Sequence, residues 1–183
     1  MKFSTRNKTF LYILASLLSV IVIAACAYFL LGGFKEVIVF ETNNNVYSIA
    51  GRDFKGRISN DTLGIYFNEM KSIVDNGELN GDLCLINYLD SNLNNNEIHQ
   101  FIGIIMEAKI AEIPSGLKVL EIESEFSFSA ALIMHPLVRP NSEKVQALIY
   151  ELAQSKGQEL KDYSLEIFYR DNSVIVEMFG KGK

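Results

Sequence analysis

The stretch Ser164-Leu165-Glu166-Ile167-Phe168-Tyr169-Arg170-Asp171 decides how the chain folds. Its alternation is that of a strand, and Ile167-x-Tyr169-x-Asp171 echoes an earlier Ile86-x-Tyr88-x-Asp90. Each copy follows a helical pattern. Ahead of the first, Leu63, Tyr66, Phe67, Met70, Ile73 and Val74 share one helical face, with Ser59 or Asn60 to cap the start and Asn76-Gly77 to stop it. Ahead of the second, Val145, Leu148, Ile149, Leu152 and Ala153 do the same, opened by Pro140-Asn141-Ser142 and closed by Lys156-Gly157.

Strand-like runs surround the helices: Glu36–Glu41, Val46–Ala50, Asp82–Leu89, Gln100–Ala108, Leu117–Glu125, Ser164–Arg170 and Val174–Phe179. Ser127–Val138 reads equally as a strand or a short helix. The order strand–strand–helix–strand–strand therefore occurs twice, in halves covering residues 35–108 and 112–183. The simplest architecture is α+β: two pseudo-duplicated βαββ halves forming one curved antiparallel sheet, with the two helices on one face. A groove between the halves is the natural concavity.

Before this domain, assigned to residues 34–183, lies Phe10–Leu31, which holds no charged residue. Its 22 residues make about 33 Å of helix, enough for a hydrocarbon core of about 30 Å. The apolar run continues past Ala24-Ala25 to Leu31, longer than the core of a cleaved signal peptide, so a retained transmembrane anchor is expected. Ile23-Ala24-Ala25-Cys26 resembles a bacterial lipobox, which makes a lipoprotein anchored at Cys26 the alternative. Lys2, Arg6 and Lys8 flank the run in the short segment 1–9, and only Lys35 lies near its other end. The basic flank predicts a cytoplasmic N-terminus and a periplasmic domain on the bacterial inner membrane.

Composition excludes several classes. Of 17 basic residues, 14 follow the anchor, against 22 acidic ones, a balance of −8. Nucleic acid is not an expected partner, because binding a phosphate backbone needs clustered positive charge. Cys84 is the one cysteine of the domain, and His99 and His135 are the two histidines, none at metal-ligand spacing. No metal or cofactor is expected. There is no P-loop, no G-x-S-x-G and no G-x-G-x-x-G, and no catalytic residue is assigned. Arg52, Lys55 and Arg57 in GRDFKGR form a basic loop that reads as solvated charge or as a contact for anionic headgroups. Glu121, Glu123 and Glu125 alternate along one strand face and read as outer surface.

The N-terminal anchor running into LGGFKEV, then LINYLDS, FIGIIMEA and SLEIFY, resembles in order and spacing the GyrI-like fold over nearly the whole chain. This is the effector-binding domain of some bacterial transcription regulators. The nearer likeness is to its membrane-anchored branch, which includes an animal ER-phagy receptor. The resemblance implies duplicated βαββ halves around a small-molecule pocket. It also implies that Glu166, in Leu165-Glu166-Ile167-Phe168, meets cationic aromatic ligands there. With the sequence ending at Lys183, the tail that engages autophagy partners is not expected, and nine residues before the anchor leave no room for direct transcription control.

The residues agree in part with that implication. In a strand, Glu166 and Phe168 share one face while Leu165, Ile167 and Tyr169 share the other. A carboxylate beside aromatic rings in a partly dry groove favours a cation. Glu166, Phe168, Tyr66 and Tyr88 are the candidate ligand-binding residues, although the spacing of Tyr66, Phe67 and Met70 is that of core. Some members of the fold hydrolyse ligands with the glutamate and a nearby tyrosine or tryptophan. Here Phe168 replaces the tyrosine and Trp is absent, so a hydrolase is the least favoured reading. The leading expectation is a membrane-tethered module that binds a small amphipathic or cationic ligand. The alternative is a non-catalytic adaptor with a vestigial pocket that meets another envelope protein.

Overall fold

The computed structural model describes residues 5–59, 61–90, 92–94, 96–107 and 113–182. Lys2, Asn60 and the Ala108 and 112 boundaries of the two halves lie outside them. The chain packs as two compact units: the N-terminal helix through Glu36 with Met134–Arg139, and Val37–Ile133 with Pro140 onward.

In the first unit, helix α1 (Thr5–Leu30) contains Phe10–Leu30, which is long and apolar enough to cross a membrane and whose apolar window is wholly exposed. The short 3-10 turn Pro136–Val138 belongs to the same unit.

The second unit is α+β. Its described strands are β1 (Ile38–Arg57), β2 (Gly81–Tyr88), β3 (Glu97–Met106), β4 (Lys118–Leu132), β5 (Leu160–Phe168) and β6 (Val174–Gly180), with helices α2 (Thr62–Asp75) and α3 (Ser142–Ser155). The order is β–α–β–β twice. The strands are antiparallel throughout and close into a barrel in the order β1-β3-β2-β5-β6-β4. Two seams join the halves, β1 with β4 and β2 with β5. Closure settles what covers the second face of the sheet, which is the barrel interior, and it leaves no edge among these strands to be blunted.

Three expectations change. Glu36–Glu41 and Val46–Ala50 are one strand, because β1 runs through Asn44 in a left-handed conformation (φ 56°) without losing register against β4. GRDFKGR is not a loop but the end of that strand, paired with β3 through Arg57↔Glu97. Ser127–Val138 is both things in turn: strand to Leu132, then the turn at Pro136.

The helices stop and start as their sequences dictate. Asn141 caps α3 by accepting the Lys144 amide at 3.2 Å, and Gly77 takes the left-handed φ of 73° just past α2. The residue before α2 is Asp61, without a side-chain capping bond, so Ser59 does not cap it. Helix α2 packs on β1–β3, burying Met70 and Ile73 with Ala50, Phe54, Ile102 and Ile104. The interior holds Ile49, Cys84, Ile86, Phe101, Ile122, Leu165, Ile167 and Phe179. Where β1 pairs with β3, Gly51 faces Gly103. A Cβ on Gly51 would collide with the Ile102 carbonyl oxygen and the Phe101 ring, so the strands can approach this closely only as glycine pairs.

Two substitutions test this packing. Gly51→Ala should lower unfolding stability by about 1–3 kcal/mol, the usual cost of forcing atoms into a filled site. Gly64→Ala, on α2 with nothing within 4 Å of the new methyl, should raise it by up to about 1 kcal/mol. Urea unfolding of the detergent-solubilised chain measures both, and equal effects would refute the close approach of β1 and β3 at these glycines.

Candidate functional site

Two carboxylates stand on the paired strands β5 and β6, on opposite sides of the barrel wall. Glu166 lies across from Val176, and Glu177 lies across from Leu165. A strand alternates its side chains, so the neighbours of each acid decide its environment. Leu165, Ile167 and Phe179 pack inside, and Glu177 points in with Phe179.

Glu177 is 1% exposed. The Tyr47 hydroxyl donates to its Oε2 at 2.7 Å, and the Asn45 amide and Ser127 hydroxyl both donate to Oε1. Asn45 and Tyr47 are two apart on β1 and so project to the same side. No Lys, Arg or His pairs with Glu177 among the described residues. Three donors satisfy the carboxylate oxygens but leave its charge uncompensated in an apolar interior, where desolvating an ion costs several kcal/mol. Burial pushes the Tyr47 phenol strongly upward, and the adjacent Glu177 carboxylate pushes it further.

Aromatic rings extend from this acid. Phe179 lies 6.2 Å from Tyr47 and 5.5 Å from Tyr163; Tyr163 is 6.2 Å from Tyr88, which stacks on His99 at 4.3 Å. Tyr47, Tyr88, Tyr163 and Tyr169 are half-buried around the interior cluster. Burial raises the phenols of Tyr88, Tyr163 and Tyr169 as well.

Glu166 faces the other way, into a cleft of about 600 Å³ at the β2–β5 seam. Its Oε1 accepts from Asn87 Nδ2 at 3.0 Å and from Ser142 Oγ at 2.8 Å. Gln100 Nε2 in turn donates to Asn87 Oδ1 at 2.5 Å, while Gln100 Oε1 is buried without a partner among the described residues. Asp90 and Glu143 add negative charge to the walls, and Tyr88 lines the cleft from the end of β2.

The four residues expected at the ligand site are thus divided. Glu166 and Tyr88 share this cleft. Phe168 shares the outer face with Glu166 but lines a different cleft, edge-on to Phe67 at 6.0 Å. Tyr66 lies under the Arg52 guanidinium at 5.5 Å, where Arg52 also forms a two-pronged ion pair with Glu69 at 2.8 Å. Arg52 and Lys55, read as solvated charge, are paired, Lys55 with Asp90 at 3.3 Å. Glu121, Glu123 and Glu125 stand exposed along β4. Glu177, Tyr47, Asn45 and Ser127 were not among the expected site residues. The signal for Glu177 was present: a lone acid inside Val-Ile-Val-Glu-Met-Phe, a strand otherwise apolar on both faces.

Comparison with solved structures shows the same fold at low sequence identity. A hydrolase from Listeria innocua superposes with a TM-score of 0.53 at 10% identity, over 78% of this chain and 91% of that one. The EcmrR C-terminal domain gives 0.52 at 8%, over 81% and 98%, and EcmrR in its DNA complex gives 0.50 at 10%, over 97% and 69%. These likenesses concern the fold alone. No family model and no curated protein matches the sequence.

The environment of Tyr47 predicts a pH dependence. Its folded phenol ionises above its unfolded value of about 10, so the stability it contributes is intact below pH 10 and is lost as pH rises beyond it. Unfolding free energy should therefore fall above pH 10, and less steeply in Tyr47→Phe. Urea titrations of both proteins at pH 9, 10 and 11 measure the difference.

Proposed function

We propose that this protein is a membrane-tethered domain that binds a small amphipathic cation, with Glu177 as the fixed negative charge and Tyr47, Tyr88 and Tyr163 as aromatic walls. The observation that carries the reading is a fully buried carboxylate with no cationic partner among the described residues. Aromatic faces and a desolvated carboxylate together favour an organic cation over a neutral or anionic ligand. Side chains fill the barrel interior, so entry requires Tyr88, Tyr163 or Phe179 to turn, and apparent affinity falls by the cost of that opening.

A second reading keeps the ligand at the β2–β5 seam, against Glu166 and Tyr88. The open cleft and the buried, unpartnered Gln100 oxygen favour it. Phe168 and Tyr66 then act at a distance from the ligand rather than on it. A hydrolase stays the least favoured reading: Phe168 stands where the resembled family has its tyrosine and the sequence holds no tryptophan, although Tyr47 donates to Glu177.

For the tether, the reading is that the apolar helix is retained in the bacterial inner membrane, with the basic flank in the cytoplasm and the domain outside. Lipoprotein processing at Cys26 is the alternative. Protease added to intact spheroplasts should remove the domain. Protection of the domain would reverse the orientation, and a lipid mass lost in Cys26→Ser would establish the lipoprotein.

Titration with a panel of lipophilic aryl cations and their neutral analogues separates the two sites. Glu177→Gln should weaken the cations by about 10–150-fold, the equivalent of a charge-assisted contact of about 1.5–3 kcal/mol, and leave the neutral analogues nearly unchanged. Loss in Glu166→Gln instead assigns the seam cleft. No binding by the wild type would remove the ligand reading and leave an adaptor that meets an envelope protein.

A further inference from the structure

The apolar surface at the end of α1 does not stop where the helix stops. The helix terminates on Gly32, whose φ of 80° is left-handed; the Gly32 amide donates to the Phe29 carbonyl at 3.0 Å and the Gly33 amide to Tyr28 at 2.9 Å. A segment about a hundred residues further along the chain is fastened to this terminus. The His135 amide donates to the Leu31 carbonyl at 3.0 Å, and a Cβ on Gly32 would touch the Met134 side chain.

That bond fixes the turn Pro136–Val138 beside the helix end. Pro136 sets the backbone, His135 Nδ1 accepts the Leu137 amide at 3.3 Å, and Arg139 donates to the Met134 carbonyl at 3.3 Å. The turn presents Leu137 with 81% of its surface exposed. At the helix end itself, Leu30 is 82% and Phe34 72% exposed, and Phe34 stacks edge-on to Tyr28 at 5.1 Å. A single exposed leucine is ordinary on a protein surface. This one is held two residues from a hydrogen bond to the last turn of a helix built like a bilayer span.

The distances fit a lipid boundary. Phe10–Leu30 spans about 31 Å at 1.5 Å per residue, matching a hydrocarbon core of about 30 Å, so Leu31 falls at its edge. Two residues reach no further than about 7 Å. The headgroup layer beyond the hydrocarbon is of similar thickness, about 5–7 Å on each side. Residues 134–141 contain no acid, and Arg139 and the exposed Lys35 supply positive charge suited to anionic headgroups.

We propose that the turn Pro136–Val138 is a second membrane contact, in which Leu137 enters the headgroup–acyl boundary of the leaflet from which α1 emerges. This rests on reading Phe10–Leu30 as a span. The connection between β4 and α3 then meets the same lipid surface as the anchor, so the chain touches the bilayer at two points in sequence.

The test uses the full chain in vesicles of phosphatidylethanolamine and phosphatidylglycerol. Leu137→Cys is made in a Cys26→Ala background and labelled with an environment-sensitive nitrobenzoxadiazole; Cys84, wholly buried, stays unlabelled. The expected result is a blue-shifted emission, quenching by lipids carrying a nitroxide near the headgroup, and protection from iodide in water. Nitroxide-free vesicles give the reference intensity. Leu18→Cys, in the middle of the helix, reports on the span itself through lipids carrying a deep nitroxide. Quenching at position 18 with none at 137 overturns the second contact alone. Absence of quenching at both overturns the span and the contact with it. Unchanged thermal unfolding of the labelled Leu137→Cys protein, expected for a side chain so exposed, shows that either result comes from the native fold.

Discussion

The domain depends on closing six described strands at two seams, β1 with β4 and β2 with β5. Each half contributes three strands and one helix, which leaves two unpaired edges and an uncovered sheet face. Joining the halves pairs those edges and converts the uncovered faces into a shared interior. Strand β1 makes this possible because its 20 residues pair with β4 along one part and with β3 along another. The two stretches overlap at Ile49–Gly51, and glycine at 51 and 103 lets the backbones approach there.

Closure also sorts the acids. Glu166 and Glu177 lie on adjacent strands, yet the barrel wall puts one in a solvent-open cleft and the other among leucine, isoleucine and aromatic side chains. Environments that differ this much give chemically similar groups different roles. Glu166 joins a chain of amides and a hydroxyl across the seam, from Gln100 through Asn87 to Ser142 on α3. Its bonds tie strands of both halves to the helix of the second. Glu177 draws β1, β4 and β6 together through Tyr47, Asn45 and Ser127, at a point where apolar residues of the same volume would avoid the desolvation cost. A polar cluster retained under that penalty is the feature that most separates this interior from an ordinary packed core.

The basic segment GRDFKGR illustrates how pairing changes the meaning of charge. As a loop it would present three cations to solvent or headgroups. As the end of β1 it places Arg52 against Glu69 of α2, with its guanidinium on the Tyr66 ring, and sets Lys55 against Asp90. Its charge serves the helix–sheet contact, at half-exposed positions where such pairs contribute modestly.

The sequence alone determined the apolar span, both domain helices and the duplicated order of elements. Each rests on local periodicity or on capping residues such as Asn141 and Gly77, which act within a turn or two of the chain. It also separated the faces of β5, because alternation within a strand is local, and so put Glu166 opposite Leu165 and Ile167. Only the tertiary structure decided that the sheet closes, that β1 continues through Asn44 and past Ala50, and which face of β5 is the interior. Those outcomes depend on pairings such as Tyr47 with Ile122 and Leu85 with Glu166, between residues about 75 to 80 positions apart, which no local pattern encodes. Phe168 and Tyr66 parted from Glu166 for the same reason: a shared strand face or a helical stripe fixes direction, but the neighbour that fills the space comes from elsewhere in the chain. Glu177 became a candidate only when closure brought Tyr47, Asn45 and Ser127 around it, because burial of a charge is a property of the assembled barrel.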